Sequence, residues 1–145
     1  MIIPDVNLLL YAYDQASPFH KQAAAWLERC MSGTEPIGLA YPVLFGFLQI
    51  GTSSRVYKQP MSVAEAVSHV NTWKNRSVTQ ILIPGNEYID TVRELLEAAG
   101  SAGANLVTDA QIAALSLQYK AVVHTADYDF LRFPKVRSKF PLNSH

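Results

Sequence analysis

The sequence predicts an α/β protein, a three-layer α/β/α sandwich built around a mostly parallel central sheet. Three observations predict it. Short strand-like runs recur at Ile2-Ile3-Pro4, Pro36–Ala40, Thr79–Ile83 and Ala121–His124. Longer stretches with apolar residues at helical spacing separate them, and strands that alternate with helices build parallel crossover units. Aspartates also follow the first and last of these runs, where open α/β sheets collect their ligands.

Ile2-Ile3-Pro4 is the first strand, and it leads directly into the apolar stretch Leu8–Tyr13. Ser17-Pro18 makes a helix entry, after which Ala23, Trp26, Leu27 and Cys30 fall on one helical face and Gly33 stops the helix. Pro36–Ala40 is the second strand. A helix that starts beside Pro42 carries Val43, Leu44, Phe47, Leu48 and Ile50, and Arg55–Pro60 is a loop. Ser62 followed by Glu65 has capping-box spacing, and Val63, Ala66, Val67, Val70 and Trp73 form the apolar face of the helix it opens. Thr79–Ile83 alternates as a strand and ends at Pro84-Gly85. Asn86 caps a helix bearing Ile89, Val92, Leu95 and Leu96, which Gly100 ends, and Ser101-Ala102-Gly103 is a turn. The helix around Leu106–Leu115 runs to about Lys120, and Ala121–His124 is the last strand.

At 145 residues, 49% of them hydrophobic, the chain is expected to form a single domain over 1–145 with a sizeable core. Twelve basic and twelve acidic side chains give a formal charge of zero, so contact with nucleic acid must come from local patches. Cys30 stands alone, which excludes an internal disulfide and a multi-cysteine zinc site and points to a reducing compartment. No apolar run approaches a membrane span and the start lacks a secretion signal, so the expected location is the cytoplasm.

The acids carry the chemistry. Asp5 follows the first strand, Asp127 follows the last, and Asp109 lies near the start of a helix. Two carboxylates about 4 Å apart repel by roughly 4 kcal/mol at an effective dielectric of about 20. A hard divalent ion such as Mg²⁺ reverses that sign. Capping of backbone donors is the competing account for any one of these aspartates.

Three segments carry a resemblance: Asp5-Val6-Asn7-Leu8-Leu9-Leu10-Tyr11-Ala12, Thr108-Asp109-Ala110-Gln111-Ile112-Ala113-Ala114 and Thr125-Ala126-Asp127-Tyr128-Asp129-Phe130. In that order and at those separations they resemble the acidic signatures of the PIN-domain nucleases, and more narrowly of VapC-type toxins. The resemblance implies a Mg²⁺- or Mn²⁺-dependent endoribonuclease whose RNA cleavage is silenced by a VapB-type antitoxin, commonly as a homodimer. Asp5, Asp109 and Asp127 match the family's catalytic and metal-holding acids, and Asp129 matches a further acid. Asn7 matches a polar position that orients Asp5 or a metal-bound water. Thr108 and Thr125 either orient the acids one and two positions later or cap locally.

One position departs from the family pattern. Gly46, in Val43-Leu44-Phe45-Gly46-Phe47-Leu48, stands where the family usually has a glutamate. Three readings stay open: Asp129 compensates, a single metal suffices, or the fold is a weak or inactive RNA- or protein-binding module.

Arg132, Lys135, Arg137 and Lys139, interleaved with Phe133 and Phe140, form either an RNA-phosphate strip or a solvated edge, with Arg132 nearest the acids. Arg55 and Lys58 are a second basic patch. Phe45, Phe47, Leu48 and Tyr57 either line a groove for an antitoxin helix or complete the core. His124, Trp26 and Trp73 read as core residues.

Overall fold

The computed structural model describes residues 1–100 and 103–142, so Ser101 and Ala102 of the expected turn lie outside the described residues. Five strands pair in one sheet of order β3-β2-β1-β4-β5: β1 (Ile2–Pro4), β2 (Ile37–Leu39), β3 (Thr79–Ile81), β4 (Val122–His124) and β5 (Arg137–Lys139). Every pairing is parallel, with Ile3 opposite Val123 and Leu39 opposite Ile81. Ile3, Ile37, Leu39 and Val123 are buried, as the central strands of a sheet covered on both faces must be. The expected sandwich is present, and its sheet is wholly rather than mostly parallel.

The helices among the described residues are α1 (Val6–Tyr13), α2 (His20–Ser32), α3 (Tyr41–Gly51), α4 (Val63–Lys74), α5 (Tyr88–Ala99) and α6 (Val107–Tyr119). Short 3-10 turns occupy Gly103–Leu106 and Tyr128–Arg132. From β1 the chain steps outward to β2 and β3, then returns to the other side of β1 to form β4 and β5. The strand order therefore reverses between β1 and β4, and the crevice beyond their carboxyl ends is the switch point where such sheets bind ligands. Asp5 follows β1 there, and Thr125 to Asp127 follow β4.

Sequence and structure part in four places. β5 was not expected: Arg137-Ser138-Lys139 has no apolar pattern, and it is held by backbone pairing to β4 as a charged edge strand. Glu87, not Asn86, is the residue before α5, and it makes no side-chain cap bond. Ile89 on α5 is 82% exposed, while Leu95 reaches the core. On α4 only Ala66 and Trp73 are fully buried; Val63 is 68% exposed, because the helix packs along a narrower stripe than its apolar residues suggested. Trp73 anchors that stripe, donating its indole N–H to the Tyr13 hydroxyl at 2.8 Å and meeting Phe47 edge-on.

The cap at Ser62 is present: its hydroxyl oxygen accepts from the Glu65 N–H at 3.0 Å. Ser62→Ala is therefore expected to lower stability by about 1 kcal/mol, read as a shifted urea midpoint with unchanged slope.

Candidate active site

Asp5 is 2% exposed, and each carboxylate oxygen has a donor. One accepts from the Val6 N–H at 2.8 Å, which makes Asp5 the N-cap of α1; the other accepts the Thr125 hydroxyl at 2.6 Å. The Asp5 N–H donates to the His124 carbonyl at 2.8 Å, locking the end of β1 to β4. The Thr125 hydroxyl oxygen accepts from the Asp127 N–H at 2.9 Å, and Asp127 Oδ1 accepts from the Asp129 N–H at 2.9 Å. Asn7 Oδ1 accepts from the Ala126 N–H at 3.4 Å, a second tie between α1 and the turn after β4. A chain of hydrogen bonds thus runs from Asp5 through Thr125 to Asp127 and Asp129.

Asp109 reaches the same place from the first turn of α6. Asp109, Asp127 and Asp129, all half-buried, each offer a carboxylate oxygen within 4.8 Å of the other two. Burial pushes Asp109 up to about 7, and the charges of Asp5 and Asp127, a hydrogen bond to Asp127 and the charge of Asp129 push the same way. Asp5 is also raised, chiefly by burial, against the lowering effect of its bonds from Thr125 and Val6. Asp5 was expected to hold a metal directly or through water. It contributes its charge to the cluster, but it stands outside the mutually close set.

Three oxygens at this spacing, one on a carboxyl held half-protonated near neutrality, form a donor set suited to a hard divalent cation. Gly46 is half-buried on α3, and a Cβ there would meet only Val6, at 3.4 and 3.8 Å. The position where the family usually has a glutamate therefore looks onto the residue next to Asp5.

A pH dependence follows. Folded Asp109 takes up its proton near 7, whereas the unfolded chain does so near 3.8, so the folded state binds more protons and stability rises as pH falls through about 7. His124 acts oppositely: burial lowers it from 6.5 to about 4, so stability drains away as pH falls across that window. In chelator, the melting temperature is expected to rise from about pH 8 to about 6.5 and then level off. Scanning calorimetry checks this, and saturating Mg²⁺ should remove the rise.

The basic residues do not form one strip. Arg132 sits at the site, with Nη2 donating to the Ala99 carbonyl at 2.8 Å and Nη1 3.8 Å from Asp129. Lys135 is exposed in the turn before β5, in a left-handed conformation (φ 67°). Arg137 lies opposite Val122 and donates to the Lys120 carbonyl at 3.0 Å, at the far end of the sheet from the acids. Lys139, opposite His124, lines a separate cavity. Thr108 is exposed, and no hydrogen bond among the described residues uses its hydroxyl. Sequence reasoning missed the reach of Thr125 back to Asp5, since a hydroxyl two residues before Asp127 carries no sign of a partner 120 positions away.

The family profile of the PIN domain matches residues 2–136. The chain belongs to the PIN domain family. Within it, this PIN domain is 42% identical over 142 residues to Ribonuclease VapC33 of Mycobacterium tuberculosis, covering 98% of this chain and 99% of that protein. It is 34% identical to Ribonuclease VapC37 of the same organism, covering 94% of each. Among solved structures, the PIN domain resembles VapBC2 from Rickettsia felis bound to a promoter DNA fragment, with a TM-score of 0.67, 19% identity, and coverage of 96% of this chain and 98% of that one. It also resembles the sarcin-ricin loop cleaving toxin VapC20 of Mycobacterium tuberculosis (TM-score 0.66, 15% identity, 94% of this chain and 99% of that one). At these identities the structural likeness concerns the fold.

Proposed function

We propose that this PIN domain is a divalent-metal-dependent endoribonuclease acting as the toxin of a VapBC-type pair. The observation that carries the reading is the Asp109–Asp127–Asp129 cluster, with Asp5 fixed beside it by Thr125 and Val6. The ribonuclease names of relatives that cover nearly the whole chain support the substrate class.

Asp109, Asp127 and Asp129 would hold Mg²⁺ or Mn²⁺, with Asp5 beside them acting on the ion through its charge or through a water. When bound, such an ion lowers the pKa of a coordinated water and neutralises charge developing at phosphorus. The chain's own part is positioning. Thr125 holds the Asp5 carboxylate and the Asp127 backbone in one arrangement, and Asn7 pins the intervening Ala126. Arg132 is free to exchange its long 3.8 Å contact with Asp129 for a phosphate oxygen of RNA. Cleavage would leave a 5′-phosphate and a 3′-hydroxyl, without use of the 2′-hydroxyl as nucleophile. Lys135, Arg137 and Lys139 are further candidates for phosphate contacts, with Arg137 engaged at the Lys120 carbonyl at the opposite end of β5 from Lys139.

A groove of about 660 Å³ beside the end of α1, lined by Leu10, Tyr13, Val56, Tyr57 and Met61, suits the apolar face of an antitoxin helix. Phe47 is in the core, and Leu48 packs against it. Phe45, 62% exposed beside Tyr41, suits a homodimer contact in the cytoplasm. Among the described residues no helix is long and apolar enough to cross a membrane.

The test is cleavage of a labelled RNA panel by the purified chain in Mg²⁺ and in chelator. Cutting in Mg²⁺ alone is expected. Thermal stabilisation by Mg²⁺ without any cutting would favour the binding-module reading that Gly46 leaves open.

A further inference from the structure

A second polar site lies away from the acids. Between the C-terminal half of α2 and strands β1, β4 and β5 is a cavity of about 400 Å³, with Ile2, Trp26, Arg29, His124, Lys139 and Pro141 in its lining. His124 is 7% exposed. Its Nδ1 accepts the Trp26 indole N–H at 3.0 Å. An indole nitrogen can only donate, so Nδ1 must be the bare nitrogen and Nε2 must carry the proton. That Nε2–H has no hydrogen-bond partner among the described residues. No fully buried side-chain nitrogen or oxygen among them lacks a partner, so Nε2 retains an opening, and the cavity that His124 lines provides it.

The charges in the rest of the lining are mostly positive. Arg29 and Lys139 are exposed and form no ion pair among the described residues, yet both act on the Cys30 thiol between them, and Lys139 also acts on His124. Glu35 is the one acid in the lining, and the amino group of Met1 holds it at 2.9 Å. Even with Glu35 counted in full, the two cations leave the side chains of the cavity net positive. A fixed neutral N–H, a guanidinium and an ammonium supply donors of three geometries around one space. A phosphate, with several oxygens, can accept from all three donors at once. The apolar walls from Trp26, Ile2 and Pro141 leave room for an organic body, and the volume is that of a small-molecule site.

We infer that this cavity binds the phosphate group of a small molecule, with His124 Nε2–H, Arg29 and Lys139 as donors. The site is independent of the nuclease reading, because none of its residues belongs to the acidic cluster. The experiment uses the full chain labelled with ¹⁵N in histidine and tryptophan, kept in chelator so that phosphate cannot act through a metal held by the acids. Inorganic phosphate, a nucleoside 5′-monophosphate and acetate are titrated separately at constant ionic strength. Saturable shifts of the His124 ring nitrogens and the Trp26 indole N–H are expected with phosphate or the monophosphate, while the Trp73 indole stays still as an internal control. The probe that binds more tightly identifies the source as inorganic or organic phosphate. Arg29→Ala with Lys139→Ala, both at the surface, should weaken binding at least about tenfold. No saturable shift with either phosphate probe, an unchanged affinity in the double variant, or acetate binding as tightly as phosphate would each overturn the assignment.

Discussion

Asp109→Asn and Asp127→Asn, each alone, are expected to lower RNA cleavage about a thousandfold or more while leaving the fold intact. Loss of one cation-holding carboxylate removes part of the several kcal/mol by which a bound ion stabilises charge at phosphorus, and about 4 kcal/mol corresponds to that factor. Both variants keep the local structure for identifiable reasons. Asp127 Oδ1 accepts from the Asp129 N–H, and an asparagine retains that oxygen, so the turn after β4 keeps its cap. Asp109 makes no hydrogen bond on which α6 depends, and its ionised form is opposed by burial and by three neighbouring acids. Asp109→Asn should therefore raise the melting temperature in chelator near pH 8, by about 2–4 °C if the relief is near 1 kcal/mol, and the gain should shrink as pH falls below about 7, vanishing only below the unfolded value of 3.8. A purely capping role for these aspartates makes the opposite pair of predictions: destabilised variants that still cut. Single-turnover cleavage and calorimetry on the same preparations separate the two.

That opposition between site and stability also marks what could be read from the chain. β1, β2 and β4 were legible because a parallel strand buried on both faces must be apolar: Ile3, Ile37, Leu39 and Val123 leave little choice, while the half-exposed edge strand β3 was legible through the alternation of Thr79–Ile83. β5 was not, because Arg137-Ser138-Lys139 joins the sheet through its backbone, and backbone pairing leaves no compositional trace. The acids were legible through position, each at a strand end or in a helix's first turn. Their relative placement was not. Asp5 reads like Asp127 in sequence, yet it is buried with a donor on each oxygen and lies outside the mutually close set, and only the fold brings Thr125 to it. The placement of the basic residues was not legible for a related reason. Neighbours along a chain that turns and then enters a strand are set in different surroundings, Arg132 beside Asp129 and Arg137 on the Lys120 carbonyl.

Gly46→Glu is the substitution that should strengthen the site. Gly46 lies within α3, where a non-glycine residue stabilises the helix by up to about 1 kcal/mol. The backbone there imposes no left-handed conformation, and a Cβ would touch only Val6, at ordinary contact distance. From that position a glutamate extends beside the N-terminus of α1, where Asp5 is held. Without metal the added charge meets a cluster that already holds Asp109 near 7, so the helical gain and the repulsion oppose each other. With Mg²⁺ present the same charge becomes attractive, and an apparent affinity about tenfold higher is expected, equivalent to about 1.4 kcal/mol. Gly46→Ala separates the two contributions, since it supplies the helical gain without the carboxylate. Melting temperatures followed against Mg²⁺ concentration should shift their midpoint for the glutamate variant alone, with faster RNA cleavage at limiting metal. If the alanine and glutamate variants respond to Mg²⁺ alike, the space beside Val6 does not open onto the cation site, and the glycine is then a feature of helix packing rather than a missing ligand.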